Sequence, residues 1–493
     1  MTHTDGYTTE TIIGLEVHVQ LKTNTKLFCG CSTTFGAAPN TQVCPVCLGH
    51  PGALPVINEQ ALELAVKAGL ALNCDIPPVT KWDRKQYFYP DLPKGYQISQ
   101  FDLPICAEGY LDIGTDSSGD AERKIRILRA HLEEDAGKSM HDEASGQFDT
   151  RIDLNRCGTP LLEIVSQPDL RSSLEAKAYL NELKLRMTHL GISDCEMQEG
   201  SLRVDANVNL HIHVDGKKIA TPIVEIKNMN SFRAVERAID HEVDRQYDVW
   251  EETGKTIKDE SKTTRGWDDQ AGRTFLQREK EESADYRYFP DPDLLPVRIP
   301  RERVEAIQST LGEMPGEVRE RLQTQYGIKA YDAEVIVNQG KDFIELYETV
   351  VTICGDGKRA SSWFQQDILR TINEQQIAVS EFPISGTDLG TLILKITTGE
   401  LDNSRARDVF QHMLDHGDSA EASIKALGIT SVDSSELEGL CRELLTENPH
   451  VVEDYRNGKQ QAIGSLIGQA KKRNPNANPK TVRELLLQIV ETL

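Results

Sequence analysis

Alternation of apolar and polar residues is the first regular signal in the chain. From Thr11 onward, Ile13, Leu15, Val17, Val19 and Leu21 alternate with Gly14, Glu16, His18 and Gln20. A period of two over that length predicts a half-buried β-strand with one apolar and one polar face. The polar face sets a carboxylate, Glu16, beside an imidazole, His18. That pair reads as half of a metal site or an acid–base pair, or as two ordinary polar residues on a wet strand. Arg123–Leu128 alternates again, and so does Glu199–His213. In the latter, Arg203, Asp205, Asn207 and Asn209 share a face broadly opposite Leu202, Val204, Val208 and Leu210. Such a stripe suits the floor of an active site, and equally any solvated sheet face. His211 and His213 add little specificity.

Helical spacing appears in two places. Asn58–Asn73 spaces Leu62, Leu64, Ala65, Ala68, Leu70, Ala71 and Leu72 on a helix capped by Asn58. Pro290, Pro292 and Pro296 then close the first region, and from about Arg301 helical spacing replaces alternation. Near the end, Asp433 and Glu436 form a capping box ahead of Leu437, Leu440, Cys441, Leu444 and Leu445. Ala462, Ile463, Leu466, Ile467 and Ala470 make a second stripe. Asn478-Pro479 opens a third, with Val482, Leu485, Leu486, Ile489 and Val490. Three short amphipathic helices predict a small bundle.

Composition narrows the function classes. The 493 residues are too many for one core, and the length suggests about three domains. A formal net charge of -23 argues against a chain that coats nucleic acid nonspecifically, though not against a local basic groove. No apolar run is long enough to span a membrane, and the first residues lack the features of a signal peptide. A cytoplasmic protein is expected. Of ten cysteines, Cys29, Cys31, Cys44 and Cys47 cluster and the other six are scattered, which fits reduced thiols with the cluster reserved for metal. Two close pairs across a loop let four thiolates close a tetrahedron around zinc; a redox pair or unbonded thiols are the alternatives. His50 is a bystander to that cluster.

Other candidates are single groups. Lys81–Gln100 interleaves Lys81, Arg84, Lys85 and Lys94 with Trp82, Tyr87, Phe88, Tyr89 and Tyr96. Cations beside aromatic faces suit a nucleotide or a tRNA end, or a surface loop anchored by its rings. Glu133, Glu134 and Asp135 are consecutive acids; a solvated turn is the simpler account, a gathering cation the sharper one. Glu163 lies in the apolar run Leu161–Val165, at a sheet edge or held by a metal or an arginine. Gly137-Lys138-Ser139 and Gly254-Lys255-Thr256 mimic the end of a phosphate-binding loop, but Leu132 and Val249 stand where its first glycine is required. Lys459, Lys471, Lys472, Arg473, Lys480 and Arg483 give the tail a basic patch, for phosphate contact or as solvated helix ends.

Taken together, five segments resemble the B-type subunit of the glutamyl/aspartyl-tRNA amidotransferase family. They are Gly14–His18, Cys44–Pro51, Tyr87–Gln100, His131–Lys138 and Leu154–Glu163. The likeness continues through Glu199–Asn209 and Tyr286–Pro290 and covers essentially the whole chain in order. It implies an α+β fold: a mixed or antiparallel-sheet cradle domain with an inserted zinc loop (1–297), an all-α helical domain (298–415) and a tail tRNA-binding bundle (416–493). It also implies a heterotrimer with an amidase-like A-type subunit, which releases ammonia from glutamine, and a small C-type subunit. On that pattern this chain uses ATP to phosphorylate the side-chain carboxylate of Glu-tRNA(Gln) or Asp-tRNA(Asn), and ammonia displaces the phosphate.

The family's Mg2+ site maps onto Glu16, His18, Glu134 and Glu163, and the structural Zn2+ onto Cys29, Cys31, Cys44 and Cys47. Arg84, Lys85, Arg156, Arg203 and Asn207 become candidates for ATP or the acceptor end, and Lys471, Lys472, Arg473 and Lys480 for tRNA. Two rivals stand beside this reading. One is a zinc-clipped tRNA-binding protein without chemistry of its own, the other a metal-dependent hydrolase acting on nucleotides. No glycine-serine-rich amidase signature occurs, so the glutaminase step is expected on another chain.

Overall fold

The computed structural model describes residues 7–115, 122–141, 150–260, 262–279, 286–429, 434–456, 459–474, 476–477 and 479–492. Asp433 and Asn478, the expected caps, lie outside the described residues. The chain divides into two compact units, Met1–Met314 and Pro315–Leu493.

The first unit is built on a nine-stranded sheet. Its strands are β1 (Thr8–Gln20), β2 (Cys106–Thr115), β3 (Glu122–Glu134), β4 (Pro160–Ser166), β5 (Leu202–Val214), β6 (Lys217–Ala220), β7 (Val224–Lys227), β8 (Thr263–Asp268) and β9 (Arg273–Glu279). Across the sheet they run β9-β8-β7-β5-β1-β4-β3-β2, with β6 added beside β5. Every pairing is antiparallel except β7 with β8. β1 therefore lies in the interior of the sheet, hydrogen-bonded on both sides.

The alternation explains the packing. Ile13, Leu15, Val17 and Val19 are buried in one core with Ala61 and Ala65 of α1 (Glu59–Ala71), Tyr179 and Leu183 of α2 (Ser173–His189), and Val235 and Ile239 of α3 (Phe232–Thr253). Each such fully buried aliphatic side chain contributes about 1.5–3 kcal/mol. Asn58 caps α1 as its sequence predicts, accepting hydrogen bonds from the Gln60 and Ala61 amides. The unit continues through α4 (Arg301–Gln308), whose Val304 and Ile307 pack on the same core.

The aromatic loop is more ordered than a loop. Asp83–Gln86 and Tyr96–Ser99 pair, and Phe289–Pro290 joins Asp83–Gln86 as a third strand. The Gln86 amide also donates to the Tyr286 carbonyl at 3.0 Å. This brings Tyr286 and Tyr288 to Tyr87 and Phe101, with Phe101 stacked on Tyr288 at 4.3 Å between ring centres.

The second unit is helical throughout its described elements. Among the longer helices, Lys341–Cys354 and Gly386–Thr397 bury Phe343, Tyr347, Leu392 and Ile393. Its last part closes a core of its own from Leu437, Cys441, Leu444, Leu466, Ala470, Val482 and Leu486. The three expected stripes contribute to that core, but a fourth helix, Pro449–Arg456, joins them. Ala462 and Ile463, read as helical, sit in a 3-10 turn, Gln460–Ile463, that precedes helix Gly464–Arg473. No helix among the described residues is long and apolar enough to cross a membrane.

Candidate active site and metal centre

The polar face of the sheet is laid out by strand register. His18 of β1 is opposite Glu163 of β4 on one side and Arg203 of β5 on the other, while His131 of β3 is opposite Glu163. One row of the floor thus reads His131, Glu163, His18, Arg203. In the adjacent row Glu16 is opposite Asp205, and beyond it Asn207 is opposite Glu225 of β7. Neighbouring rows stand about 7 Å apart along each strand.

Two acidic groups result. His18, Glu133 and Glu163 bring ligand atoms within 4.8 Å of one another, as do Glu16, Asp205 and Glu225. His18 Nε2 is 3.4 Å from Glu163 Oε2, and His131 Nε2 is 3.5 Å from the same oxygen. Burial works against the charge on Glu163, yet His131 and His18 hold its carboxyl well below the usual range. The second group already contains a cation. Lys227 pairs with Asp205, and its Nζ is 3.4 Å from Glu225. Glu16 accepts a hydrogen bond from Asn207 Nδ2 at 3.0 Å.

Glu134 does not join either group. The register of β3 against β4 shifts between Ile127 and Arg129, so Leu128 is an extra residue in the strand. After that bulge Ala130, Leu132 and Glu134 share the face opposite to His131 and Glu133. Glu134 pairs with Lys94 and accepts from the Ile98 amide at 3.1 Å. Both residues border a cleft of about 360 Å³ lined by Gly49, His50 and Tyr96. Glu133 is the acid that reaches His18 and Glu163. The solvated turn expected for the three acids is absent, since Glu133, Glu134 and Asp135 are all buried and each meets a different partner. Ser99 Oγ donates to Glu133 at 3.3 Å.

The candidate cations separate just as clearly. Arg84 is committed to Asp291 at 2.7 Å and Asp293 at 3.1 Å, its guanidinium 4.3 Å from the Tyr96 ring centre. Arg203 and Arg156 meet on buried Asp135, at 2.8 and 3.5 Å. Arg156 also donates to the Ala136 and Gly137 carbonyls. The Lys85 ammonium makes no hydrogen bond or ion pair with the described residues; it lies 5.1 Å from the Tyr286 ring centre and 5.8 Å from that of Tyr87. Burial opposes its charge, but Glu133 and Glu163 raise it above the ordinary lysine range. Among the described residues, Arg203 Nε, Asn207 Oδ1 and His131 Nδ1 on the floor are buried without a hydrogen-bond partner.

Cys29, Cys31, Cys44 and Cys47 bring all four sulfurs within 4.8 Å of one another, a spacing that can hold a metal ion. All ten cysteines are free thiols. The Cys44 amide donates to Cys47 Sγ at 3.2 Å, as loop amides do around tetrathiolate centres. The neighbouring Cys29 thiol is the main influence that holds the Cys47 thiol well below the ordinary cysteine range.

In the second unit, Lys471 pairs with Asp402 and Arg473 with Glu447. Lys472, Arg473 and Lys480 are exposed.

Strand parity could have found Glu133 and His131 once the bulge was seen. Asp205 was already in the polar stripe. Nothing local marked Glu225 or Lys227, and Lys94, read among the cations of the aromatic loop, finds its partner Glu134 on another strand.

A family model described as GatB/GatE catalytic domain matches residues 11–305, and one described as GatB domain matches residues 345–490. The chain is 71% identical over 484 residues to the B-type subunit of the aspartyl/glutamyl-tRNA(Asn/Gln) amidotransferase of Rhodopirellula baltica, covering 98% of this chain and 97% of that one. Proteins of the same description from Chlorobium phaeobacteroides and Thermodesulfovibrio yellowstonii are 47% and 45% identical, over 97% and 98% of this chain and 98% and 99% of theirs.

Proposed function

The chain belongs to the family of B-type subunits of the aspartyl/glutamyl-tRNA(Asn/Gln) amidotransferase, and on that footing we propose that its first unit activates the side-chain carboxylate of Glu-tRNA(Gln) or Asp-tRNA(Asn). ATP phosphorylates that carboxylate, and ammonia released by an amidase-like A-type subunit displaces the phosphate. A small C-type subunit completes the assembly. The observation that carries the reading is the convergence of His18, Glu133 and Glu163 on the polar face of the sheet. Two anions, a nucleotide and a carboxylate, must meet there, and a divalent cation would neutralise their repulsion.

His18, Glu133 and Glu163 would hold Mg2+, with Glu16 in the adjoining row. Glu133 takes the place first given to Glu134. Lys85 is the cation left to meet a transferring phosphoryl group, since Arg84, Arg156 and Arg203 are engaged. Arg156 and Arg203 instead brace Asp135 beside the floor, and Arg84 ties the small aromatic sheet to Asp291 and Asp293. Tyr87, Tyr286 and Tyr288 beside Lys85 offer ring faces for a base of the nucleotide or of the acceptor end. The four cysteines would hold structural Zn2+. In the second unit, exposed Lys472 and Lys480, with Lys471 and Arg473 in their ion pairs, would contact tRNA phosphates.

The test uses the assembled complex with Glu-tRNA(Gln), ATP and Mg2+ and no ammonia source. Phosphate should appear on the aminoacyl carboxylate with the wild type and disappear with Glu133→Gln. Equal transfer by both would show the acidic group to be structural. Lys85→Met is expected to slow the same transfer by about tenfold or more, with Lys85→Arg retaining part of it. An unchanged rate would remove Lys85 from the site.

A further inference from the structure

A lysine is almost never fully buried unless an anion pairs with it. Lys26 is 0% exposed. Its ammonium donates to the Gln42 carbonyl at 2.7 Å and lies 3.7 Å from Cys47 Sγ. Among the described residues no carboxylate comes within ion-pair distance of it. Gly158, with φ at +84°, packs beside the side chain: a Cβ there would stand in ordinary contact with Cys47 Cβ at 3.5 Å, Lys26 Cδ at 3.6 Å and Glu134 Oε1 at 3.7 Å, and that carboxylate is already paired with Lys94. The Gln42 amide, in turn, is fixed by Asn155 at 2.8 Å, and the Leu27 amide by the Gly158 carbonyl at 2.9 Å. The chain has therefore built a rigid, enclosed seat for one positive charge, and the sulfur cluster is the anionic group the seat faces.

Four thiolates around one zinc ion make a doubly negative centre. Enclosed in protein, such a centre is costly without a compensating cation, just as the lysine is costly without an anion. Each group removes the reason the other would be unfavourable.

We propose that Lys26 is the counter-cation of the cysteine-bound zinc, a positioning residue that keeps the metal from being lost. This rests on the zinc reading of the cysteine cluster. Lys26 does not ligate the metal: its role is electrostatic and exerted from outside the coordination sphere, where such partners alter metal affinity about 10- to 100-fold.

The experiment uses the full chain loaded with zinc, in wild-type, Lys26→Met and Cys44→Ser forms. Bound zinc is counted, its transfer to a chromogenic chelator is timed, and thermal unfolding is followed with zinc bound and after stripping. Wild type and Lys26→Met should each hold about one equivalent of zinc, and Cys44→Ser should hold it poorly. Lys26→Met should surrender zinc about 10- to 100-fold more readily. Its loss of thermal stability should be larger with zinc bound than after stripping. If Lys26→Met does not fold, Lys26→Gln, which keeps a polar tip for the Gln42 carbonyl but no charge, gives the same comparison. Equal zinc transfer, with the same stability loss in both states, would make Lys26 a packing residue and overturn the proposal. Absence of zinc from the wild type would instead overturn the zinc reading, and the proposal with it.

Discussion

Glu163→Gln is expected to lower ATP-dependent amidation by about a hundredfold or more, the scale on which losing a group aimed at reacting charge is felt. The substitution is nearly isosteric and removes charge alone. His18 and His131 both lean on that carboxylate, at 3.4 and 3.5 Å, and Lys85 is held in its field. Binding of the misacylated tRNA should be retained, because the tRNA contacts proposed for the second unit do not involve Glu163. Single-turnover amidation and a direct tRNA-binding titration on the same preparation separate the two effects. Near-normal turnover would return Glu163 to a structural role and favour the rival reading, a tRNA-binding protein whose partners perform all the chemistry.

Asp135→Asn should instead cost stability. Asp135 is buried and receives Arg203, Arg156 and Gln20 Nε2. Removing its charge leaves two guanidinium groups facing a neutral amide, and breaking a buried pair in this way costs about 3–5 kcal/mol. Burial alone would raise its carboxyl, but Arg203 and Arg156 hold it below the usual aspartate range. A depressed folded value means the stabilisation is fully present above the unfolded carboxyl's value, about 3.9, and is lost as pH falls through the folded one. Denaturant unfolding at neutral pH should show the full gap between wild type and variant. Below about pH 4 the gap should narrow. A gap that does not change with pH would mean the aspartate matters by shape and not by charge.

What the sequence disclosed depended on whether the physics was local. β1, α1 and β5 were legible because each is amphipathic at its own period, with Asn58 marking where α1 begins. The cysteine cluster was legible because metal spacing is a local property. The choice between Glu133 and Glu134 was not, since one bulged residue, Leu128, reverses which face each acid takes. The aromatic loop's small sheet was missed because its third strand, Phe289–Pro290, arrives about two hundred residues later. The second acidic group likewise draws Glu16, Asp205 and Glu225 from three strands; Glu16 and Asp205 stood out on their own strands, but nothing local tied Glu225 to them. The arginines stood out by residue type, but their carboxylate partners, and hence which lysine stays available, needed the register.

The interior position of β1 bears on how the molecule can be made. Thr8 pairs with His213, and His18 with Glu163 and Arg203. A ribosome must therefore deliver some two hundred further residues before the first strand finds both neighbours. Until then a strand with one apolar face and two open edges is exposed, the kind of segment that invites intermolecular pairing. No short contiguous fragment contains the site, so a truncated chain would be inactive and adhesive. Synthesis of this protein places its heaviest demand on chaperones early, long before the helical unit emerges.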